Sequence, residues 1–285
     1  MSCRMSLELS KKVSHEVLRC ELCPHYCHLK PFEVGKCYAR FNNSEDIVHM
    51  NLGAISSLAV ESISKKPFKR FLPGTKTLTL GGYGCNLNCE FCENHKISQV
   101  SPIEGSKVWS PDELVVAAID KHCESITMSY NEPILSYEFI LPLADACHDN
   151  GIQFALKTNA FINKYPWEQI CLRTDAMNID WKGSDLTFAS ITKARTFVLK
   201  DRIKEAYDNG VHIEISVPLY YSKNEYQEQM DKLGHFLKMI NRDIPCHLLR
   251  ISPSYHYDSF ISDPEDIKKA QSILSSYLAN IYIVI

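Results

Sequence analysis

Three things are scarce in this chain of 285 residues. No apolar run approaches the ~20 residues that a bilayer-spanning helix needs. The amino terminus, Met1 to Lys11, offers nothing like the roughly 7 to 15 apolar residues of a secretory leader. An excess of one charge is also missing: 31 Lys and Arg against 34 Asp and Glu leave a formal net charge of −3. No broad attraction toward nucleic acid or an anionic membrane follows from that balance. The expectations are therefore no nucleic-acid partner, no membrane, and a reducing, cytoplasmic setting.

Cysteine, by contrast, is plentiful, with 12 in the chain. In a reducing compartment clustered thiols read as metal ligands before disulfides. Isolated ones read differently. Cys3, Cys123, Cys147, Cys171 and Cys246 stand singly and are expected to be small buried hydrophobes.

The organising stretch is Thr75 to Gln99. A β-branched, partly alternating run ends in Gly81-Gly82-Tyr83-Gly84 and opens into a cysteine loop, which is the pattern of a buried strand delivering a loop to a site. Cys85, Cys89 and Cys92 are spaced C-x3-C-x2-C. Three thiolates on one short loop can hold three corners of a cubane iron-sulfur cluster and leave the fourth iron without a ligand from the loop. A soft thiolate set suits iron-sulfur or zinc, but a structural zinc site closes with four ligands. An open corner invites a cofactor or substrate. The rivals are a zinc knuckle, a disulfide pair, or a scaffold that uses all its clustered cysteines structurally.

A second group lies upstream. Cys20, Cys23, Cys27 and Cys37 follow C-x2-C-x3-C-x9-C, a full tetrahedral ligand set that can close around zinc or a second cluster. His25 is a further ligand candidate. Residues 1–19 show a short helical pattern, and 47–57 suggest short strands. Residues 1–74 read as an amino-terminal, cysteine-rich extension, with Ser64 to Arg70 as a solvated basic connector.

From residue 75 to 285 strand and helix alternate. Strands are expected near 125–128, 154–158, 176–179, 211–217, 247–251 and 281–285. Helices are expected at 110–122, with Ser110, Pro111 and Glu113 as a capping start, and at 137–150, 200–209, 224–241 and 264–280. Strict succession argues a parallel sheet with right-handed crossovers. The fold class is α/β, a partial (β/α)6 TIM-like barrel.

Ligands in such folds gather at the carboxyl ends of strands. Polar residues concentrate there: Ser129 to Pro133, Lys157-Thr158-Asn159, Asp180 to Gly183, and Arg250 to Pro253. A sulfonium amino acid such as S-adenosylmethionine (SAM) needs an anion for its ammonium, a cation for its carboxylate and an apolar wall for adenine. Glu132 fits the first role, Lys182 the second and Phe91 the third.

Gly84 to Asn94, Tyr130-Asn131-Glu132-Pro133 and Asp180-Trp181-Lys182-Gly183 together resemble the radical SAM superfamily, in the branch of pyruvate formate-lyase activating enzymes. The subgroup most similar is the AmmeMemoRadiSam system radical SAM enzymes, a likeness that covers nearly everything after residue 19. The resemblance implies an oxidoreductase with a [4Fe-4S] cluster on Cys85, Cys89 and Cys92 and with SAM chelating the open iron. It implies cofactor contacts at Asn131, Glu132, Asp180 and Lys182. It also implies flavodoxin or ferredoxin as electron donor and reductive cleavage to a 5′-deoxyadenosyl radical, with a protein residue or a small molecule as substrate. One departure stands out. Activating enzymes tend to carry Asp-Thr-Asn where this chain has Lys157-Thr158-Asn159. The Lys157 ammonium is expected to replace a monovalent cation there and to pair with Asp180.

Overall fold

The structure is a computed structural model that describes residues 9–102, 105–194, 198–220, 225–258 and 263–284. The described amino-terminal residues begin with β1 (Ser10–Lys12), β2 (Leu18–Cys20) and β3 (His28–Leu29), an antiparallel sheet, followed by the hairpin of β4 (Arg40–Asn42) and β5 (Ile47–His49). The helical pattern expected over 1–19 is thus corrected within the described part. Lys11 pairs with Arg19, and the Cys20 amide donates to the Cys27 carbonyl, so long-range pairing overrides a weak local preference.

β6 (Ser57–Ser62) runs antiparallel to β7 (Lys76–Gly81), with Leu58 opposite Leu80. From β7 the chain alternates. After the short α1 (His95–Ser98) come α2 (Pro111–Asp120), β8 (Ser125–Met128), α3 (Tyr137–Asp149), β9 (Gln153–Thr158) and α4 (Lys164–Cys171). Then follow β10 (Ala176–Asp180), α5 (Asp185–Thr192), α6 (Leu199–Asp208), β11 (His212–Pro218), α7 (Tyr226–Ile240), β12 (Cys246–Leu249), α8 (Pro264–Ser275) and β13 (Ile281–Val284). Helices α4 and α5 are additions to the sequence reading. Residues 221–224, including the expected start of α7 at Asn224, lie outside the described residues.

The main sheet has the order β13-β12-β11-β10-β9-β8-β7-β6, parallel from β7 to β13. Its two edges, β6 and β13, do not pair, so it is an open arc, the partial barrel expected. Both faces of the strands are covered: in β8 Ser125 and Thr127 alternate with Ile126 and Met128, and all four residues are buried. The start of α2 matches its sequence signature. Ser110 Oγ accepts from the Glu113 amide at 3.2 Å, and Glu113 accepts from the Ser110 amide at 2.8 Å.

The basic run from Ser64 to Arg70 is not a solvated connector. Lys66, Pro67 and Phe68 are buried while Lys65, Lys69 and Arg70 are exposed. Ile63, Phe68 and Phe71 form a small core with Ala155 and Ala176, near the starts of β9 and β10. Glu214, wholly buried on β11, accepts the amides of Lys69, Arg70 and Phe71 and the imidazole nitrogens of His212 and His247. The segment is a plug held by that carboxylate, by Asn178 Nδ2 donating to the Pro67 carbonyl and by the Lys66–Glu61 ion pair. Cys123, Cys147, Cys171 and Cys246 are buried, as expected of packing residues; Cys3 lies outside the described residues.

Candidate active site at the barrel rim

β7 ends at Gly81, where a side chain would press on the ring of Tyr130. The chain then turns into the cysteine loop. Cys85, Cys89 and Cys92 line a cavity of about 420 Å³ together with Phe91, Asn131, Glu132, Lys157, Thr158, Asp180 and Lys182. All the cofactor and cluster residues singled out for this site therefore share one cavity. They arrive from the carboxyl ends of four successive parallel strands, β7 to β10. Its volume falls in the range of ligand pockets, roughly 300 to 1,000 Å³.

Glu132 is 2% exposed and heavily bonded. Thr158 Oγ1 donates to it at 2.6 Å, the Asn159 amide at 2.8 Å and the Ile134 amide at 3.3 Å. Burial pushes its carboxyl up to about 7 against the lowering by these donors and Lys182. A nearby cation would favour the ionised form.

At the end of β10, Asp180 sits between two ammonium groups: Lys157 at 2.7 Å on one oxygen and Lys182 at 2.6 Å on the other. Burial alone would raise its carboxyl, but the two lysines outweigh that and hold it down at about 2. Lys182 moves upward, since Asp180 and Cys89 outweigh its own burial. The trio carries one net positive charge, with Lys182 buried and Lys157 and Asp180 half-buried, a natural seat for a carboxylate.

The three loop thiols are all pushed up, chiefly by burial, Cys89 to about 12. Without a metal they are protonated, so loading a cation must expel protons. No three His, Cys, Asp or Glu side chains among the described residues are drawn up as a metal-ligand set. The fit of a cluster rests on other features: three thiols on one cavity wall, free of disulfides, with amide donors close by. The Leu87 amide points to the Cys85 sulfur at 3.4 Å, and Asn159 Nδ2 lies 3.7 Å from it. Donors of this kind stabilise thiolates held on iron, and the residues fit the group.

Phe91 is buried and stacks on Tyr220, ring centroids 4.5 Å apart. Asn131 does more for the loop than for open space. Its Oδ1 accepts from the Gly82 amide at 2.8 Å, and its Nδ2 donates to the carbonyls of Tyr83 and Gly84. It ties the strand end to the turn that carries Cys85. Residues to which the sequence assigned no cofactor role also reach the site. Asn159 bridges Glu132, Asn86 and Cys85, and its signal was its place beside Lys157 and Thr158. Lys65 and Pro67, from the plug, line the same cavity.

Comparison with known proteins agrees with this geometry. The family model for the Radical SAM superfamily matches residues 80–237, just over half of the chain. An uncharacterised protein of Methanocaldococcus jannaschii is 32% identical over 247 residues, covering 86% of this chain and 74% of its own. A pyruvate formate-lyase-activating enzyme of Clostridium pasteurianum is 25% identical over 192 residues, covering 63% of this chain and 79% of its own. Among solved structures, SuiB of Streptococcus suis bound to S-adenosylmethionine superposes with a TM-score of 0.57 at 18% identity, over 72% of this chain and 49% of SuiB. A radical SAM methyltransferase of Sphaerobacter thermophilus gives 0.58 at 15% identity, over 75% of this chain and 67% of its own. The chain thus spans about half the length of SuiB, and these two likenesses speak for the fold. The structure has no helix long and apolar enough to cross a membrane among the described residues. With its family model matched and a relative above 30% identity along most of its length, this chain belongs to the radical SAM superfamily and is an enzyme of that class.

Proposed function

We propose that the chain is a glycyl-radical-activase-like radical SAM enzyme. A [4Fe-4S] cluster on Cys85, Cys89 and Cys92, with SAM on its open iron, would accept one electron and cleave SAM to methionine and a 5′-deoxyadenosyl radical that takes a hydrogen atom from the substrate. The observation that carries this reading is the convergence of the three thiols, Glu132, Asp180 and Lys182 on one cavity.

The residues divide the work by charge. Glu132, held by Thr158 and Asn159, receives the SAM ammonium. Lys182, oriented by Asp180, faces the carboxylate. Phe91 gives adenine an aromatic face, already stiffened by Tyr220. Lys157 supplies the second positive charge on Asp180, the place of the monovalent cation in activating enzymes. Walls that keep water out strengthen each of these contacts.

Flavodoxin or ferredoxin is the proposed electron donor, and a glycine of a partner protein the proposed substrate. Similarity to the Clostridium pasteurianum activating enzyme supports both. The test is anaerobic turnover with candidate proteins whose glycines carry deuterium. Deuterium appearing in 5′-deoxyadenosine is expected from one of them. Transfer only from small molecules would overturn the substrate reading.

A further inference from the structure

The second cysteine group lies away from the cavity at the strand ends. Cys20 closes β2, Cys27 precedes β3, and Cys37 sits in the turn before β4. All four thiols, with His25 and Arg40, wall a separate void of about 10 Å³. That is room for one atom, close to the least that admits a single water. A four-iron cubane with its sulfides does not fit a space of that size.

Three further observations point to a cation within it. First, backbone amides aim at the sulfurs: Leu22 at Cys20, His25 at Cys23, and Ala39 and Arg40 at Cys37. Amides gathered on sulfur serve thiolates, because a neutral thiol is a weak acceptor. Second, the sulfurs of Cys27 and Cys37 would lie 3.9 and 3.8 Å from a Cβ placed on Gly35, so the two face one spot. Third, Arg40 is 1% exposed, and its Nε has no hydrogen-bond partner although Nη1 and Nη2 are bound to Glu138. An orphaned buried donor beside four sulfurs calls for a charged acceptor.

We infer that Cys20, Cys23, Cys27 and Cys37 hold a single zinc ion in a closed tetrahedral site, with the Arg40 Nε–H turned to a thiolate. Four soft, negatively charged ligands with no open position select zinc as a structural ion. The ion braces the catalytic loop. Gly84 has φ +82°, and any Cβ there would collide with the Cys37 carbonyl oxygen. His25 Nε2 lies 2.6 Å from the Asn86 carbonyl oxygen. The zinc turn therefore touches the chain on both sides of Cys85.

The decisive protein is the full chain with Cys85, Cys89 and Cys92 all changed to Ala, which removes the other thiol cluster. Elemental analysis should find one zinc and no iron per chain. Exchange for cobalt(II) should give the d–d bands of a tetrahedral thiolate site. Absence of zinc together with absence of a cobalt spectrum, or stoichiometric iron with acid-labile sulfide, overturns the proposal. Cys20→Ser with Cys23→Ser should abolish both signals, and if that variant does not fold, the cobalt spectrum of the parent still decides. In the otherwise native chain, Cys27→Ser should speed the anaerobic loss of iron from the catalytic loop several-fold. Zinc lost with iron retention unchanged would remove the brace.

Discussion

The ammonium of Lys157 stands 2.7 Å from one oxygen of Asp180, while Lys182 holds the other oxygen at 2.6 Å. Lys157 also donates to Asn178 at 2.9 Å, so it is fixed at two points and not swinging in solvent. A tethered cation next to this half-buried carboxylate makes a dissociable one unnecessary. SAM cleavage by the native chain should therefore vary less than about twofold when potassium or sodium is exchanged for a bulky organic cation. Lys157→Ala, which leaves Asp180 half-paired, should lose about tenfold or more in SAM affinity and regain part of it with added potassium. A strong rise of native activity with potassium contradicts the assignment.

Glu132 depends on donors that lie outside its own loop. Thr158→Val deletes a 2.6 Å hydrogen bond to its carboxylate, worth about 1.5 kcal/mol or more for a charged acceptor. Equilibrium binding to the iron-loaded protein should show the SAM Kd rising about tenfold, with iron content unchanged. Glu132→Gln removes the charge itself and should cost still more. Equal affinity in both variants and the native chain would take Glu132 out of the ammonium site.

The plug gives a stability prediction with a definite sign. Glu214 is held at about 2 because His212, His247 and the amides of Lys69 and Arg70 outweigh the rise that burial would cause, whereas an unfolded glutamate titrates near its ordinary value of about 4.3. Its contribution is complete above that ordinary value and is lost as pH falls from there through about 2. Glu214→Gln should lower stability by about 3 kcal/mol at neutral pH, since an amide offers one acceptor oxygen to a site built for two. It should also flatten the acid limb of a denaturation profile. An unchanged melting curve would show that the segment from Lys69 to Phe71 is held by its other contacts, the packing of Phe71 and the Arg70 hydrogen bonds to Tyr282 and Asn280.

These relationships explain what the sequence could and could not disclose. The motifs after β7, β8, β9 and β10 were legible because a parallel sheet brings the residues just past each strand to one rim, so Cys85, Glu132, Lys157 and Asp180 needed only strand boundaries to be placed together. The Lys157–Asp180 pair was expected from the resemblance, through the departure from the Asp-Thr-Asn of activating enzymes, and neighbouring strands bring the two side chains together. The plug was not legible. Its lysines read as solvated, and the carboxylate that holds it lies up to 145 residues away. Asn159 was named in its strand-end motif but given no role, for a like reason: its contact with Cys85 spans 74 residues. Helices α4 and α5 are short segments of 8 residues each, with too few turns for a firm periodic signal. Strand β2 escaped because its pairing with β1 and β3, not its local pattern, makes it a strand.

The most direct measurement is anaerobic reconstitution followed by reduction in the presence of SAM, reading iron content, methionine and 5′-deoxyadenosine on one sample. The native chain should bind about four irons through Cys85, Cys89 and Cys92 and release both products stoichiometrically after reduction, and Cys89→Ala should lose iron and products together. A catalytic loop that takes up only zinc, or that holds its four irons yet leaves SAM intact after reduction, would contradict it.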